Sequence, residues 1–100
     1  MTQVIIATPQ PNQPAGKAGT FQVFGNLRPA TATVTGIWVI RTDTGVQVGV
    51  ITPIVPPPIP FDFAYQVTGV PTNVQLSLTV TAVDAGVPGQ STVAPFTCPP

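Results

Sequence analysis

Charge is what this sequence has least of. Six of its 100 residues are charged, namely Lys17, Arg28, Arg41, Asp43, Asp62 and Asp84, and the formal net charge is zero. Ordinary domains carry about 25% charged residues. Three cations cannot neutralise a run of phosphates, which argues against a nucleic-acid partner. Histidine and glutamate are absent altogether. Their loss removes Ser-His-Asp and Cys-His catalysis, the common zinc sites and glutamate-based acid–base chemistry. Three isolated aspartates remain, so the expectation is a protein that is not an enzyme and holds no cofactor and no metal. Cys98 is the one cysteine. An internal disulfide is therefore impossible, and the thiol reads as a small apolar residue at a strand end or as half of an intermolecular bridge.

Long apolar runs are missing too. Nothing approaches the 18 or so residues of a membrane span, so no membrane insertion is expected. The N-terminal run Val4-Ile5-Ile6-Ala7 is too short for a signal h-region and has no basic flank. The expectation is a chain used without classical secretion, or a mature or excised piece. Apolar residues at helical spacing are also absent.

What is present is β chemistry. Valine leads the apolar types, threonine is plentiful, and 14 prolines with nine glycines are spread along the chain. Branched side chains fit a pleated surface, and the punctuation suits short strands joined by turns. The clearest alternation runs from Val74 to Ala82, with Val74, Leu76, Leu78, Val80 and Ala82 on one face. Phe61 to Val67 repeats it, with Phe61, Phe63, Tyr65 and Val67 inward and Asp62 outward. Val46 to Val50 reads as a third. Gln3–Thr8, Thr20–Phe24, Ala32–Ile40 and Ser91–Phe96 complete the set, with turns at 42–45, 69–73 and 84–89. The pattern predicts an all-β, antiparallel, seven-stranded sandwich. It occupies 20–100, preceded by residues 1–19 as an extended arm or a first strand plus linker.

The stretches "FQVFGNL", "ATVTGIWVIRTDTG" and "FDFAYQVTGVPTNVQLSLTVTAVDAGVPGQST" resemble bacterial and viral immunoglobulin-like and fibronectin-type-III-like modules. The last element carries the family's late strand as Leu78-Thr-Val-Thr-Ala-Val-Asp84-Ala-Gly86. The resemblance implies an immunoglobulin-like sandwich. The chain departs from antibody domains in lacking their disulfide pair, and from calcium-binding cadherin-like modules in lacking their acidic clusters.

Three segments are candidates for contact with a partner. Pro53 to Pro60 holds five prolines, including Pro56, Pro57 and Pro58. It reads as a stiff connection between sheets that cannot be recruited as a strand, with docking of a partner as the sharper alternative. Trp38 reads as a core tryptophan if Gly36 is regular. If Gly36 lies at a bulge, Trp38 faces out and could stack on a sugar or a partner. The arm, through Val4, Ile5 and Ile6, could pair along an open strand edge, of this chain or of a neighbouring subunit.

The functional expectation is a non-enzymatic structural protein, a subunit of a larger assembly such as a virion decoration, cement or tail component. It would be homo-oligomeric or bound to a capsid or tail protein. The alternative is an extracellular or cell-surface module of a bacterial adhesin that binds carbohydrate or protein.

Overall fold

The computed structural model describes residues 2–100. Among them there is no helix; eight strands form two antiparallel four-stranded sheets. In chain order these are β1 (Gln3–Thr8), β2 (Phe21–Arg28), β3 (Thr33–Arg41), β4 (Val46–Gln47), β5 (Val50–Pro53), β6 (Phe63–Thr68), β7 (Gln75–Asp84) and β8 (Val87–Thr97). One sheet has the order β1-β2-β6-β5 and the other β4-β3-β7-β8. They enclose a single core.

Strand β7 shows why the pattern folds this way. Leu76, Leu78, Val80 and Ala82 are buried, and the residues between them are more accessible. Opposite them, β2 and β6 contribute Phe21, Val23, Phe63 and Val67 to the same interior. Phe21 of one sheet meets Phe96 of the other edge to face at 5.4 Å, a favoured aromatic geometry. Fully burying one such side chain stabilises by about 1.5–3 kcal/mol relative to leaving it exposed, so the core supplies most of the driving force for folding.

The count of eight strands, against seven expected, comes from one glycine. Val46 to Val50 alternates like a single strand but is two. Val48 donates its N–H to the carbonyl of Val39 at 2.9 Å, continuing the β3 pairing. Gly49 then takes φ +86 and the chain crosses to the other sheet as β5. A Cβ at Gly49 would stand 2.8 Å from Val70 Cγ1 and 2.9 Å from Val67 Cγ1, so both the backbone conformation and the space require glycine there. Consequently only Val48 packs on the core, while Val46 and Val50 are exposed.

Two other boundaries move. The β7–β8 turn is only Ala85-Gly86, at φ 50 and 80, with Asp84 paired to Val87. Two positive-φ residues match the twist of a tight hairpin. Pro88 and Gly89 therefore lie within β8, which tolerates proline because it is an edge strand. Strand β6 begins at Phe63, so Phe61 is not an inward residue. It stacks on Phe24 at 5.2 Å with the planes 9° apart. Phe24 alternates with the buried Phe21, Val23 and Leu27 and so faces outward.

Residues 9–19 are tied along the end of β8. The N–H groups of Asn12, Ala15 and Ala18 donate to the carbonyls of Pro95, Thr97 and Pro99, and Pro14 bridges Thr97 in parallel. Ala15 is buried, and Pro9 is among the largest fully buried side chains. At the other end of β8, the Thr2 hydroxyl donates to the Val87 carbonyl at 2.6 Å. The N-terminal segment thus guards the β8 edge at both ends, one way a sheet avoids presenting unpaired backbone.

Candidate functional site

The register of β3 decides where Trp38 points. Val34 pairs with Ala82, but Gly36, not Thr35, pairs with Thr81, so Thr35 is the extra residue of a bulge. The bulge shifts the alternation by one position. Val39 becomes fully buried, Ile37 packs against the core, and Trp38 turns to the outer face with 38% of its surface exposed. The reading of Trp38 as a core residue is thereby overturned. The extra residue supplies the reason, because it reverses the parity that the sequence alone implies.

On that outer face the indole lies along its own strand. The position a Cβ would take on Gly36 is 2.5 Å from Trp38 Cη2 and 3.0 Å from Cζ2. The ring therefore fills the space above Gly36 that a side chain would need. Across the register, Trp38 faces Thr79 and Gly36 faces Thr81. The hydroxyls around the ring are paired, Thr35 with Thr81 at 3.0 Å and Thr79 with Thr92 at 3.0 Å. Beside them Thr35, Thr81, Pro88, Gly89 and Gln90 line a shallow groove of about 340 Å³.

The proline segment lies elsewhere. It joins β5 to β6, which are neighbours in one sheet, so it is not the connection between sheets that the sequence suggested; that crossing is at Gly49. Its base is fixed by backbone bonds from Ile54 to Ala64 at 3.0 Å and from Asp62 to Gly25 at 2.8 Å. The Asp62 carboxylate accepts from the Leu27 N–H at 2.9 Å, and the Asn26 amide donates to the Pro60 carbonyl at 2.9 Å. Asp62 therefore pins the loop to β2 instead of lying on a strand face. Pro56 and Pro58 are exposed and Pro57 is half-buried. Val55 and Ile59, at 83% and 97% exposure, project into solvent. Next to the loop, a groove of about 280 Å³ opens between the sheets and is lined by Leu27, Ala32, Val34, Phe63 and Tyr65 among others. Burial raises the Tyr65 phenol above its ordinary range.

The three N-terminal candidates are divided by their strand. Val4 and Ile6 are buried in this chain's own core, and Ile5 between them is exposed at 41%. All three sit on β1, paired with β2 of the same chain.

The charged residues do not converge. Arg41 Nε donates to Asp43 Oδ1 at 2.7 Å within the β3–β4 hairpin. This bond pushes the Arg41 guanidinium up and holds the Asp43 carboxyl below its usual range. Asp84 accepts from the Thr31 hydroxyl at 2.9 Å. Each aspartate thus has a local structural task, and no cluster of three potential metal ligands occurs among the described residues. No buried side-chain nitrogen or oxygen among them lacks a partner, so the interior offers no polar group waiting for a ligand. Cys98 is fully buried and unbridged.

Comparison of the chain with protein-family models, with curated proteins and with solved structures gives no match.

Proposed function

We propose that the protein is a non-enzymatic, immunoglobulin-like structural module that acts as a subunit of a larger assembly, in the manner of a virion decoration, cement or tail component. The strand order supports the first half of this reading. Orders 1-2-6-5 and 4-3-7-8 correspond to the A-B-E-D and C′-C-F-G sheets of immunoglobulin-type sandwiches, with β4 as the added C′ strand. This correspondence concerns architecture, and folds of this kind serve many roles.

The observation that carries the assembly reading is the character of the surface. Ile5, Val46, Val50, Val55, Ile59 and Val87 are large apolar side chains left exposed by their own chain. They stand on a molecule with six charged residues in all. Such a surface has little electrostatic repulsion to keep copies or partners apart. Contacts built from it lose little to salt screening, and covering Val55 and Ile59 would gain the apolar transfer energy that folding leaves unused.

Sedimentation of the full chain across a wide concentration range, at low and high salt, tests this. Association should persist at high salt and weaken in the double variant Val55→Ser, Ile59→Ser. A chain that stays monomeric at every concentration and carries no partner when isolated from its source refutes the reading, as does an oligomer released by salt alone.

A further inference from the structure

We propose that the outer face of the β4-β3-β7-β8 sheet is a binding site for a neutral saccharide, with Trp38 as the stacking plate and the surrounding threonines as partners for the sugar's hydroxyl rim. This goes beyond the assembly reading and stands independently of it.

The plate is built by two sequence features acting together. The extra residue Thr35 turns Trp38 outward, and Gly36 lets the indole lie down along the strand. Any side chain at position 36 would meet the ring at 2.5 Å and lift it off the sheet. A large aromatic held flat and open on its outer side is an apolar surface with a defined orientation. No aromatic ring among the described residues stacks on it, in contrast to Phe24, which is stacked by Phe61.

The surroundings define the ligand's chemistry. Within each hydroxyl pair, Thr35 with Thr81 and Thr79 with Thr92, one hydroxyl donates to the other. In the Thr79–Thr92 pair the acceptor keeps its own proton for a further bond. The Thr81 hydroxyl also donates to the Gly36 carbonyl at 3.4 Å, so the Thr35–Thr81 pair contributes chiefly the lone pairs that all four oxygens keep. Ser77 and Gln90 add neutral donors and acceptors on the same face by register. No charged residue occupies this face between positions 35 and 40, 75 and 81, or 90 and 94. A pyranose ring presents apolar C–H groups on its face and hydroxyls around its rim. It needs a flat apolar plate, neutral hydrogen-bond partners at the edge and no counter-ion, which is what this face offers. An anionic polymer would find no cation here, and an ionised ligand would lose hydration with no compensation.

The single tryptophan of the chain is Trp38 itself, so intrinsic fluorescence reports on the plate directly. The full chain is titrated with soluble neutral polysaccharides (a glucan, a xylan, a mannan and a galactan), tested for retention on cellulose and chitin, and run against alginate and heparin as anionic counterparts. The expected result is that at least one neutral polysaccharide shifts Trp38 emission and retards the protein in affinity electrophoresis. Trp38→Ala should weaken that association about tenfold, the scale of an aromatic stacking contact, while Trp38→Tyr retains part of it. Thr79→Ala with Thr92→Ala should weaken it severalfold with the emission of the free protein unchanged. Circular dichroism melts verify that each variant is folded. Binding to none of the neutral polysaccharides overturns the proposal. So does equal binding of anionic ones, or unchanged affinity in folded Trp38→Ala. Sedimentation of Trp38→Ala separates this site from assembly, because an oligomer that survives the substitution leaves the assembly reading intact whatever the saccharide result.

Discussion

Two aromatic rings in this molecule lie over glycines, one inside and one outside. Phe63 lies over Gly25: a Cβ at Gly25 would stand 2.4 Å from the Phe63 ring and 2.2 Å from the Ile5 carbonyl oxygen. Trp38 lies over Gly36, where the Cβ would meet the indole at 2.5 Å and the Thr81 hydroxyl at 3.1 Å. The local device is the same, a paired strand with a missing side chain under a ring. The surroundings differ. Phe63 is buried and backbone closes the far side of Gly25, whereas Trp38 has solvent on its outer side. The inner pair is a packing requirement and the outer pair is an orientation device. Only the outer one can be disturbed without disturbing the fold.

Gly25→Ala should give the largest effect. The new methyl meets a backbone oxygen and a core ring that cannot both yield, and overpacking of this kind costs about 3 kcal/mol or more. Urea denaturation reads it, and a cost under about 1 kcal/mol would show that the inner pair is as forgiving as the outer. Phe24→Ala probes the ring that the chain covers for itself. Losing the Phe61 stack and the half-buried side chain should cost about 2 kcal/mol, below the cost for a fully buried phenylalanine. Gly36→Ala should change stability by less than about 1 kcal/mol, because the indole can swing into solvent and alanine lowers the entropy of the unfolded chain. Its signature is optical, a change in Trp38 emission and loss of any saccharide response at nearly unchanged stability. A cost like that of Gly25→Ala would erase the distinction between the two pairs.

The smallest effect concerns pH. Burial raises the Tyr65 phenol in the folded chain, so its contribution to stability is complete below the ordinary tyrosine value of about 10 and is lost as pH rises through the raised one. Alkaline denaturation should show a small loss of stability as pH rises through the raised value, and Tyr65→Phe should abolish that part of the pH dependence.

The sequence makes the regular strands legible and the irregular ones not. Leu76, Leu78, Val80 and Ala82 are inward as their alternation says, because nothing interrupts β7. Trp38 was legible only conditionally. Glycine at 36 signalled a bulge, but the extra residue is Thr35, and one position of slip decides which face the indole takes. Val46 to Val50 misled because alternation cannot reveal a positive φ at Gly49. Residues 9–19 carry no period at all. Their place is set by backbone bonds to Pro95, Thr97 and Pro99, which leave no mark in side-chain pattern. Phe61 was in phase with Phe63, yet its partner Phe24 is remote in sequence.

The N-terminal segment that guards β8 also has a mechanical meaning. Thr2 lies at Val87, Asn12 at Pro95, Ala15 at Thr97 and Ala18 at Pro99, so the two stretches run side by side in the same direction. One leads to the N-terminus and the other to the C-terminus. A pull applied between the two ends therefore slides these stretches past each other and strains their bonds together, instead of peeling them one at a time. Tension along the chain meets a shear clamp before it reaches the core.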